Sequence, residues 1–290
     1  MPSPSPHPAF RRFEPWRGIP QPGCQVNFLG VQTSIAYSIG MAAAPVVEVA
    51  TDYPPADEEM FEWIDLLEAV STGTGVFTMI ELGAGWGRWL ANAAAACRAI
   101  GREYRLIGVE AEPTHFALMR EHLERSDVDM AQVSLIEAAV AGTDGKVTFR
   151  VGSPFDCYGQ RIVRSRRERI DWRRDAKGRS RRIRAVSLTS IFDEAAIDGL
   201  VDLIDLDVQS AEADVLEPAA SLLHARVRRV HVGTHDPRAN EDRLRALFNR
   251  LGWTCLADYP WGGVSDTPFG SIAFQDGVQS WLNPALAEPR

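Results

Sequence analysis

A short apolar run at residues 76–81 leads directly into Gly83-Ala84-Gly85-Trp86-Gly87, and an alanine-rich stretch with helical character follows. A strand that ends in a glycine-rich loop and continues into a helix is the starting unit of an α/β sheet. Four more strand-like apolar runs follow downstream, at residues 105–110, 132–137, 201–206 and 227–232. Because helical stretches alternate with these runs, the pattern predicts a Rossmann-like, doubly wound α/β sheet that is mostly parallel.

The end of the chain predicts how this sheet closes and where its domain ends. Residues 253–257 and 271–274 have the pattern of a closing, antiparallel strand pair. We therefore place the α/β domain at residues 71–276 and a C-terminal tail at residues 277–290. Before the domain, residues 1–25 are predicted to form a loose Pro/Ser-rich arm, and residues 26–70 an N-terminal extension that ends in an amphipathic helix.

The glycine spacing distinguishes several kinds of nucleotide-binding loop. The dinucleotide fingerprint has glycines at positions 1, 3 and 6. When Gly83 is counted as position 1, position 6 is Arg88. A phosphate-binding P-loop is excluded because no Gly-Lys-Ser/Thr follows. The observed order, an acidic residue followed by three alternating glycines, resembles motif I of class I S-adenosyl-L-methionine (SAM) methyltransferases.

Two carboxylates at strand ends strengthen this interpretation. Glu81, at the end of the first strand, can address the ammonium or sulfonium end of SAM. Glu110 ends the second strand, and a carboxylate there can accept hydrogen bonds from both ribose hydroxyls. Glycines between them let the backbone pass close to a ligand. The alternative is a tight turn in an α/β protein that binds no ligand.

Beyond the glycine loop, the chain resembles the FkbM family of class I SAM-dependent methyltransferases over about residues 78–275. The blocks that carry the resemblance are, in order, Ile80-Glu81-Leu82-Gly83-Ala84-Gly85-Trp86-Gly87, Gly108-Val109-Glu110-Ala111-Glu112-Pro113, Ala138-Ala139-Val140, Val186-Ser187-Leu188-Thr189-Ser190-Ile191-Phe192 and Leu203-Ile204-Asp205-Leu206-Asp207-Val208-Gln209-Ser210-Ala211-Glu212. The last block is similar to the family's Lys-Ile-Asp-Val-Glu-Gly-Ala-Glu signature, with Gln209 and Ser210 in place of Glu and Gly. The resemblance implies the class I fold and transfer of a methyl group from SAM, commonly to oxygen on sugars and secondary-metabolite scaffolds.

The resemblance and the loop chemistry together predict the site residues. The residues expected to bind SAM are Glu81, Gly83, Ala84, Gly85, Gly87, Glu110, Ala111, Ala138, Ala139 and Asp207. Asp207 and His235, just past the ends of two neighbouring strands, are the candidate catalytic residues. An unperturbed histidine could accept a hydroxyl proton at neutral pH. The alternatives are a carboxylate that caps the next helix and a histidine that bonds a loop carbonyl.

No metal is predicted. Asp207, His235 and Asp236 could gather a divalent cation, but the acidic pattern of metal-dependent sugar O-methyltransferases is not visible. His231 is expected to be an interior packing residue because of the period-two alternation around it.

The charge is distributed unevenly along the chain. The net charge is −8, yet residues 161–184 contain twelve Lys and Arg against three Asp and Glu. This segment belongs to a basic insertion at residues 153–184, which predicts an acceptor with negative charge, bound in part by Tyr158, Arg161 and Asp236. The alternative is a solvated loop whose arginines pair with the acidic body, including across a homo-oligomer interface.

Other classes of function are disfavoured. No Asn/Asp-Pro-Pro-aromatic turn follows Asp207, and Trp172 is the only aromatic residue at 161–184, so nucleic acid is not an expected partner. The four cysteines form no CxxC pair, and no apolar segment is long enough for a membrane span. We expect a cytoplasmic SAM-dependent O-methyltransferase acting on a small-molecule or glycan hydroxyl. The alternatives are N- or carboxyl-methylation, a nucleotide-sugar or NAD-binding oxidoreductase, and a non-catalytic SAM-binding protein.

Overall fold

The protein is described by a computed structural model, which covers residues 7–37, 40–151, 160–163, 179–235 and 238–286. Its centre is a seven-stranded sheet. The strands, labelled in chain order, are β1 (Phe77–Leu82), β2 (Tyr104–Glu110), β3 (Val133–Glu137), β4 (Leu203–Leu206), β5 (Arg229–Thr234), β6 (Thr254–Tyr259) and β7 (Gly277–Leu282).

The strand order across the sheet is β6-β7-β5-β4-β1-β2-β3. Neighbouring strands from β5 to β3 pair in parallel, whereas β7 is antiparallel to both β5 and β6. The order reverses between β1 and β4, which is where a doubly wound sheet opens a crevice for a ligand. The predicted Rossmann-like α/β sheet, mostly parallel with an antiparallel closing strand, is confirmed.

The identity of the closing strand differs from the prediction. Residues Gly270–Phe274 pair with Gly263–Thr267 in a separate two-stranded hairpin, while β7 inserts between β5 and β6. The sheet therefore extends past the expected domain end at residue 276, and residues 277–282 are not a tail. The middle of strand β7 contains the polar residues Gln279 and Ser280, which are both buried. The sequence therefore lacks the apolar run that is typical of a buried strand.

Seven helices cover the sheet in the described part of the chain. They are α1 (Met60–Ser71), α2 (Arg88–Ile100), α3 (Pro113–Arg125), α4 (Leu188–Glu194), α5 (Glu212–Leu216), α6 (Ala220–Arg226) and α7 (Arg238–Arg250). Short 3₁₀ turns occur at Pro8–Arg12, Ile35–Tyr37 and Met130–Gln132. None of the described helices is long and apolar enough to cross a membrane.

Smaller strands lie outside the central sheet. Gly145–Val151 and Arg179–Val186 form an antiparallel pair, and Ala139–Val140 joins it in parallel. Two further pairs precede α1, formed by Arg17–Gly18 with Val49–Ala50 and by Cys24–Val26 with Gln32–Ser34.

Alternate residues of the parallel strands point to opposite faces, and each face has its own core. Ile80, Leu82 and Ile204 belong to the cluster covered by α4–α7. Met79 and Leu203 belong to the cluster covered by α1–α3. Period-two alternation therefore places Glu81 and Asp205 on the face covered by α1 and α2.

The N-terminal segment is part of the second core rather than a loose arm. Phe10 is 1% exposed and Phe13 is fully buried. The Phe10 ring packs against Phe28, and Phe28 packs edge-on against Trp63 of α1 with their ring centroids 5.0 Å apart. The prediction for residues 1–25 is wrong for this segment because Pro/Ser content hid two phenylalanines whose burial outweighs the entropy of ordering it. Residues 1–6 lie outside the described residues.

Candidate active site

A cavity of about 300 Å³ opens at the carboxyl ends of β1, β2 and β4. Nine of the ten predicted SAM-binding residues line it: Glu81, Gly83, Ala84, Gly85, Glu110, Ala111, Ala138, Ala139 and Asp207. The tenth, Gly87, instead packs against α3, where a Cβ would contact the Met119 side chain at 2.8 Å. The structure thus brings together residues from four separate stretches of sequence.

Gly83 and Gly85 of the loop are glycines for different structural reasons. Gly83 lies directly against the backbone carbonyl oxygen of Asp207, so a Cβ would overlap that oxygen. Gly85 has a left-handed backbone with φ of 53°, and a Cβ there would meet no atom within 4 Å. Gly83 therefore joins β1 to β4, while Gly85 leaves open space on the cavity side.

Glu81 has a structural task at the start of α2. Its Oε2 accepts a hydrogen bond from the backbone N–H of Leu90 at 3.0 Å, and Gly87, at the N-cap position of α2, has no side chain to do this. Glu81 is buried, and burial together with the nearby Asp205 carboxylate raises its pKa well above the ordinary value. An acidic group beside the first turn of α2 also complements the positive end of the helix dipole.

Glu110 holds the glycine loop in place. One carboxylate oxygen accepts the N–H of Gly85 and the other accepts the N–H of Glu112, both at 2.7 Å. A carboxylate offers about four lone-pair positions, so acceptor capacity is left for hydroxyl groups in the cavity. Burial raises the pKa of Glu110, opposed by these backbone hydrogen bonds.

Asp207 and His235 are brought together, as members of a cluster with three carboxylates. His235 Nε2 lies 3.4 Å from Asp207 and 3.3 Å from Asp276, and its Nδ1 lies 3.1 Å from Glu212. The Asp207 side chain is 54% exposed, whereas His235 is buried. The cluster thus links the cavity to the buried Glu212 at the start of α5.

The carboxylates decide the charge of His235. Burial alone would lower the pKa of His235, but the hydrogen bond to Glu212 and the charges of Asp207 and Asp276 outweigh it and raise the pKa to about 9. The imidazole is therefore positively charged at neutral pH. The expectation that His235 accepts a hydroxyl proton from an unperturbed pKa is not met, because the sequence did not reveal three carboxylates around one ring.

Gln209 explains one departure from the family signature. Its amide nitrogen lies 2.9 Å from Asp207 Oδ1 and 2.8 Å from His235 Nε2. The amide nitrogen donates to Asp207 Oδ1 and so helps to hold that carboxylate in place. The turn requires left-handed backbone at Gln209 and Ser210, with φ of 52° and 76°. A neutral amide at this position avoids a fourth carboxylate around the ring.

Beneath this cluster, a row of polar residues crosses the sheet. The sequence pattern did not predict this row. Glu81, Asp205, His231 and Ser280 lie in register on β1, β4, β5 and β7. Glu62 of α1 joins Asp205 and His231, with one potential ligand atom from each of the three residues within 4.8 Å of the others. His231 is interior as predicted, but it is hydrogen-bonded rather than merely packed, with Nδ1 2.7 Å from Asp65 Oδ2.

Acidic residues dominate the described lining of the cavity. Besides Glu81, Glu110 and Asp207, they are Glu58, Glu59, Glu62, Asp205 and Asp276. Arg88 is the one arginine or lysine of this lining, and both its terminal nitrogens bind the Glu59 carboxylate. Glu58, Glu59 and Glu62 lie just before α1 or in its first turn, where acidic residues are common, and no local pattern distinguishes this position from a cavity lining.

The predicted substrate-binding residues are mostly outside the described residues. Tyr158 and Asp236 fall there, as does most of the basic insertion at 153–184. Arg161 is described and half-buried, and its backbone carbonyl accepts the N–H of Arg150 at 2.9 Å. Its neighbours Gln160 and Ile162 line the cavity, whereas Arg161 does not.

Comparison with known proteins supplies a family for this geometry. Residues 81–253 match the model of the methyltransferase FkbM domain. A putative methyltransferase of Jannaschia sp. (strain CCS1) is 26% identical over 289 residues, which cover 97% of this chain and 99% of that protein.

Two solved structures have more distant similarity. The methyltransferase FkbM from Methylobacillus flagellatus KT is 12% identical with a TM-score of 0.46, covering 78% of this chain and 55% of its own. TrmK of M. capricolum, solved with S-adenosyl-homocysteine, is 7% identical with a TM-score of 0.40, covering 76% of this chain and 67% of its own.

Proposed function

Because this chain belongs to the FkbM family of methyltransferases, we propose that it transfers a methyl group from SAM to a hydroxyl oxygen of a carbohydrate or secondary-metabolite acceptor. The observation that carries the proposal is one cavity in which the glycine loop, Glu110 and Asp207 meet at the carboxyl ends of parallel strands. Ligands of doubly wound sheets bind at this edge, beside the point where the strand order reverses.

The residues present fit SAM in three respects. Gly85 leaves open space at the loop, and the cavity offers carboxylates to a ligand with a positive sulfonium and ammonium. The indole Nε1 of Trp86, on the same lining, is buried without a hydrogen-bond partner among the described residues. We propose that Glu110 accepts hydrogen bonds from the ribose hydroxyls and that the protein backbone at Gly83–Gly85 passes close to the ligand. When bound, SAM supplies an electrophilic methyl group.

Asp207 is the group we assign to the acceptor hydroxyl. Its carboxylate faces the cavity, and Gln209 and His235 hold one of its oxygens from behind. A carboxylate so placed can orient the hydroxyl and take its proton as the carbon–oxygen bond forms. His235, charged at neutral pH, is a positioning residue that holds Asp207 in place.

The acidic lining bears on the acceptor. Carboxylates around the cavity repel an anionic group, which favours a neutral polyhydroxyl acceptor inside it. The prediction of an anionic acceptor depends on the basic insertion, and it stays a prediction. The same lining favours a second candidate, a cationic amine whose nitrogen is methylated.

The test has a binding arm and a turnover arm. Isothermal titration of the full chain should show binding of SAM and S-adenosylhomocysteine but not of NAD; the reverse pattern would refute methyl transfer. For turnover, the chain is incubated with SAM and matched panels of sugars, polyketide-like alcohols and amines, and S-adenosylhomocysteine is measured. Asp207→Asn should lower kcat by about 10²–10⁴-fold on a hydroxyl acceptor while binding of S-adenosylhomocysteine is kept. Turnover on amines alone would replace oxygen by nitrogen as the methylated atom.

A further inference from the structure

Glu62, Asp205 and His231 converge from three elements that the sequence separates widely. Asp205 and His231 lie in register on the neighbouring strands β4 and β5, and α1 places Glu62 over them. One ligand atom from each, two carboxylate oxygens and one imidazole nitrogen, lies within 4.8 Å of the other two. Asp205 is 5% exposed and His231 is 3% exposed, while Glu62 is half-buried.

The orientation of His231 is fixed by residues outside the cluster. Its Nδ1 lies 2.7 Å from Asp65 Oδ2, and Asp65 also receives hydrogen bonds from Arg229 and from the Ser280 hydroxyl. Because Asp65 is a hydrogen-bond acceptor, Nδ1 carries the proton. Nε2 is then the ring nitrogen left to bind an ion. A histidine whose second ring nitrogen donates to a carboxylate is the usual arrangement behind a metal ion.

The two carboxylates lack the partners that buried acids ordinarily have. Among the residues that the structure describes, no N–H group donates a hydrogen bond to the side chains of Glu62 or Asp205; each has the other carboxyl group as its side-chain hydrogen-bond partner. The nearest guanidinium, that of Arg88, is bound to Glu59. A buried and a half-buried carboxyl group that meet beside an imidazole are stabilised by a cation bound between them.

We propose that Glu62, Asp205 and His231 bind one divalent first-row transition-metal ion, with its remaining coordination positions open toward the cavity. Two carboxylate oxygens and one imidazole suit Mn²⁺ or Zn²⁺ better than Ca²⁺ or Mg²⁺, which prefer oxygen alone. All three residues line the cavity, so an ion here can also bind water or an acceptor oxygen. The site differs from the cation site considered for Asp207, His235 and Asp236.

Metal binding is measured without SAM or an acceptor, so this proposal fails or stands separately from the proposed function. The full chain is freed of metal with a chelator and titrated with Mn²⁺, followed by electron paramagnetic resonance, and with Zn²⁺ by calorimetry. We expect one equivalent of ion per chain and, for Mn²⁺, electron–nuclear coupling to one imidazole ¹⁴N. Asp205→Asn and His231→Gln should each abolish the stoichiometric binding, and the latter should remove the nitrogen coupling. Asp65→Asn should weaken binding by about 10–100-fold.

Glu58→Gln is the matched control. Glu58 lines the same cavity and accepts backbone N–H groups of Gln275 and Asp276, a task that the amide oxygen of glutamine can continue, so metal binding should be unchanged. Circular dichroism of each variant checks the fold. The proposal is overturned if the wild-type chain binds neither ion stoichiometrically, or if binding persists in a folded Asp205→Asn variant. It is also overturned if S-adenosylhomocysteine displaces the ion one for one, since the cluster would then hold the ligand's ammonium group.

Discussion

Gly83, in the loop after β1, lies directly against the carbonyl oxygen of Asp207, which follows β4. The contact lies at the reversal point of the strand order, between the two halves of the sheet. Gly83 belongs to the glycine loop, and Asp207 carries the candidate catalytic carboxylate. The distance between the predicted cofactor and acceptor positions therefore depends on the absence of a Cβ atom at Gly83.

Replacing Gly83 by alanine should therefore disturb the fold, whereas the same change at Gly85 should mainly disturb the ligand. Gly83→Ala introduces an overlap with backbone and a left-handed alanine, and should lower the free energy of unfolding by about 3 kcal/mol or more. Gly85→Ala also places alanine in left-handed backbone but meets no atom within 4 Å, so it should cost only about 1–2 kcal/mol. Its methyl group enters the cavity and should weaken binding of S-adenosylhomocysteine. Urea unfolding and calorimetry measure the two quantities; equal stability of both variants would contradict the assignment of Gly83.

Glu110→Ala should weaken binding of S-adenosylhomocysteine by about 1–3 kcal/mol. The change removes the acceptor of the Gly85 N–H and the group assigned to the ribose. Glu137 is the control, since it is exposed and lies opposite Glu110 in register on β3. Glu137→Ala should leave the affinity unchanged in the same calorimetric titration, and an equal loss in both variants would argue against a specific role for Glu110.

Because of His235, the free energy of unfolding should decrease as the solution becomes more alkaline. Its pKa is about 9 in the folded chain and about 6.5 in the unfolded chain. The folded state therefore holds the proton more tightly. The stabilisation is complete below pH ~6.5 and is lost as the pH rises toward 9, by an amount on the order of 3 kcal/mol.

Urea unfolding of the wild type between pH 6 and pH 9.5 measures that loss, and His235→Gln should remove most of the slope in this window. A His235→Gln variant with the wild-type slope would assign the pH dependence to another group.

The N-terminal segment should contribute strongly to stability. Phe10→Ala empties a site that is 1% exposed and should lower the free energy of unfolding by about 3–5 kcal/mol. Arg11 is exposed in the same turn, so Arg11→Ala should change it by no more than about 0.5 kcal/mol. Thermal and urea unfolding compare the two variants. A Phe10→Ala variant as stable as Arg11→Ala would return the segment to the status of a loose arm.

The sequence predicted those features that depend on local pattern. The glycine loop, the helical stretch that follows it and the position of Glu110 at a strand end follow from short-range periodicity and from residues with special backbone freedom. The charge of His235 and the cluster at Glu62 do not, because they depend on side chains that meet only after β4, β5, β7, α1 and α5 have assembled. Strand β7 was not predicted for a related reason, since the side chains of its buried polar residues Gln279 and Ser280 bond to α7 and α1.

The position of β7 also dictates an order of events. Strand β6 is made earlier on the ribosome than β7, yet its neighbour in the central sheet is β7. The backbone groups of residues 254–259 therefore stay unpaired in the central sheet until residues 277–282 have been synthesised and have inserted between β6 and β5. Closure of this edge is a late and non-local step of folding. Until then, the unpaired strand edge can pair with another copy of the chain.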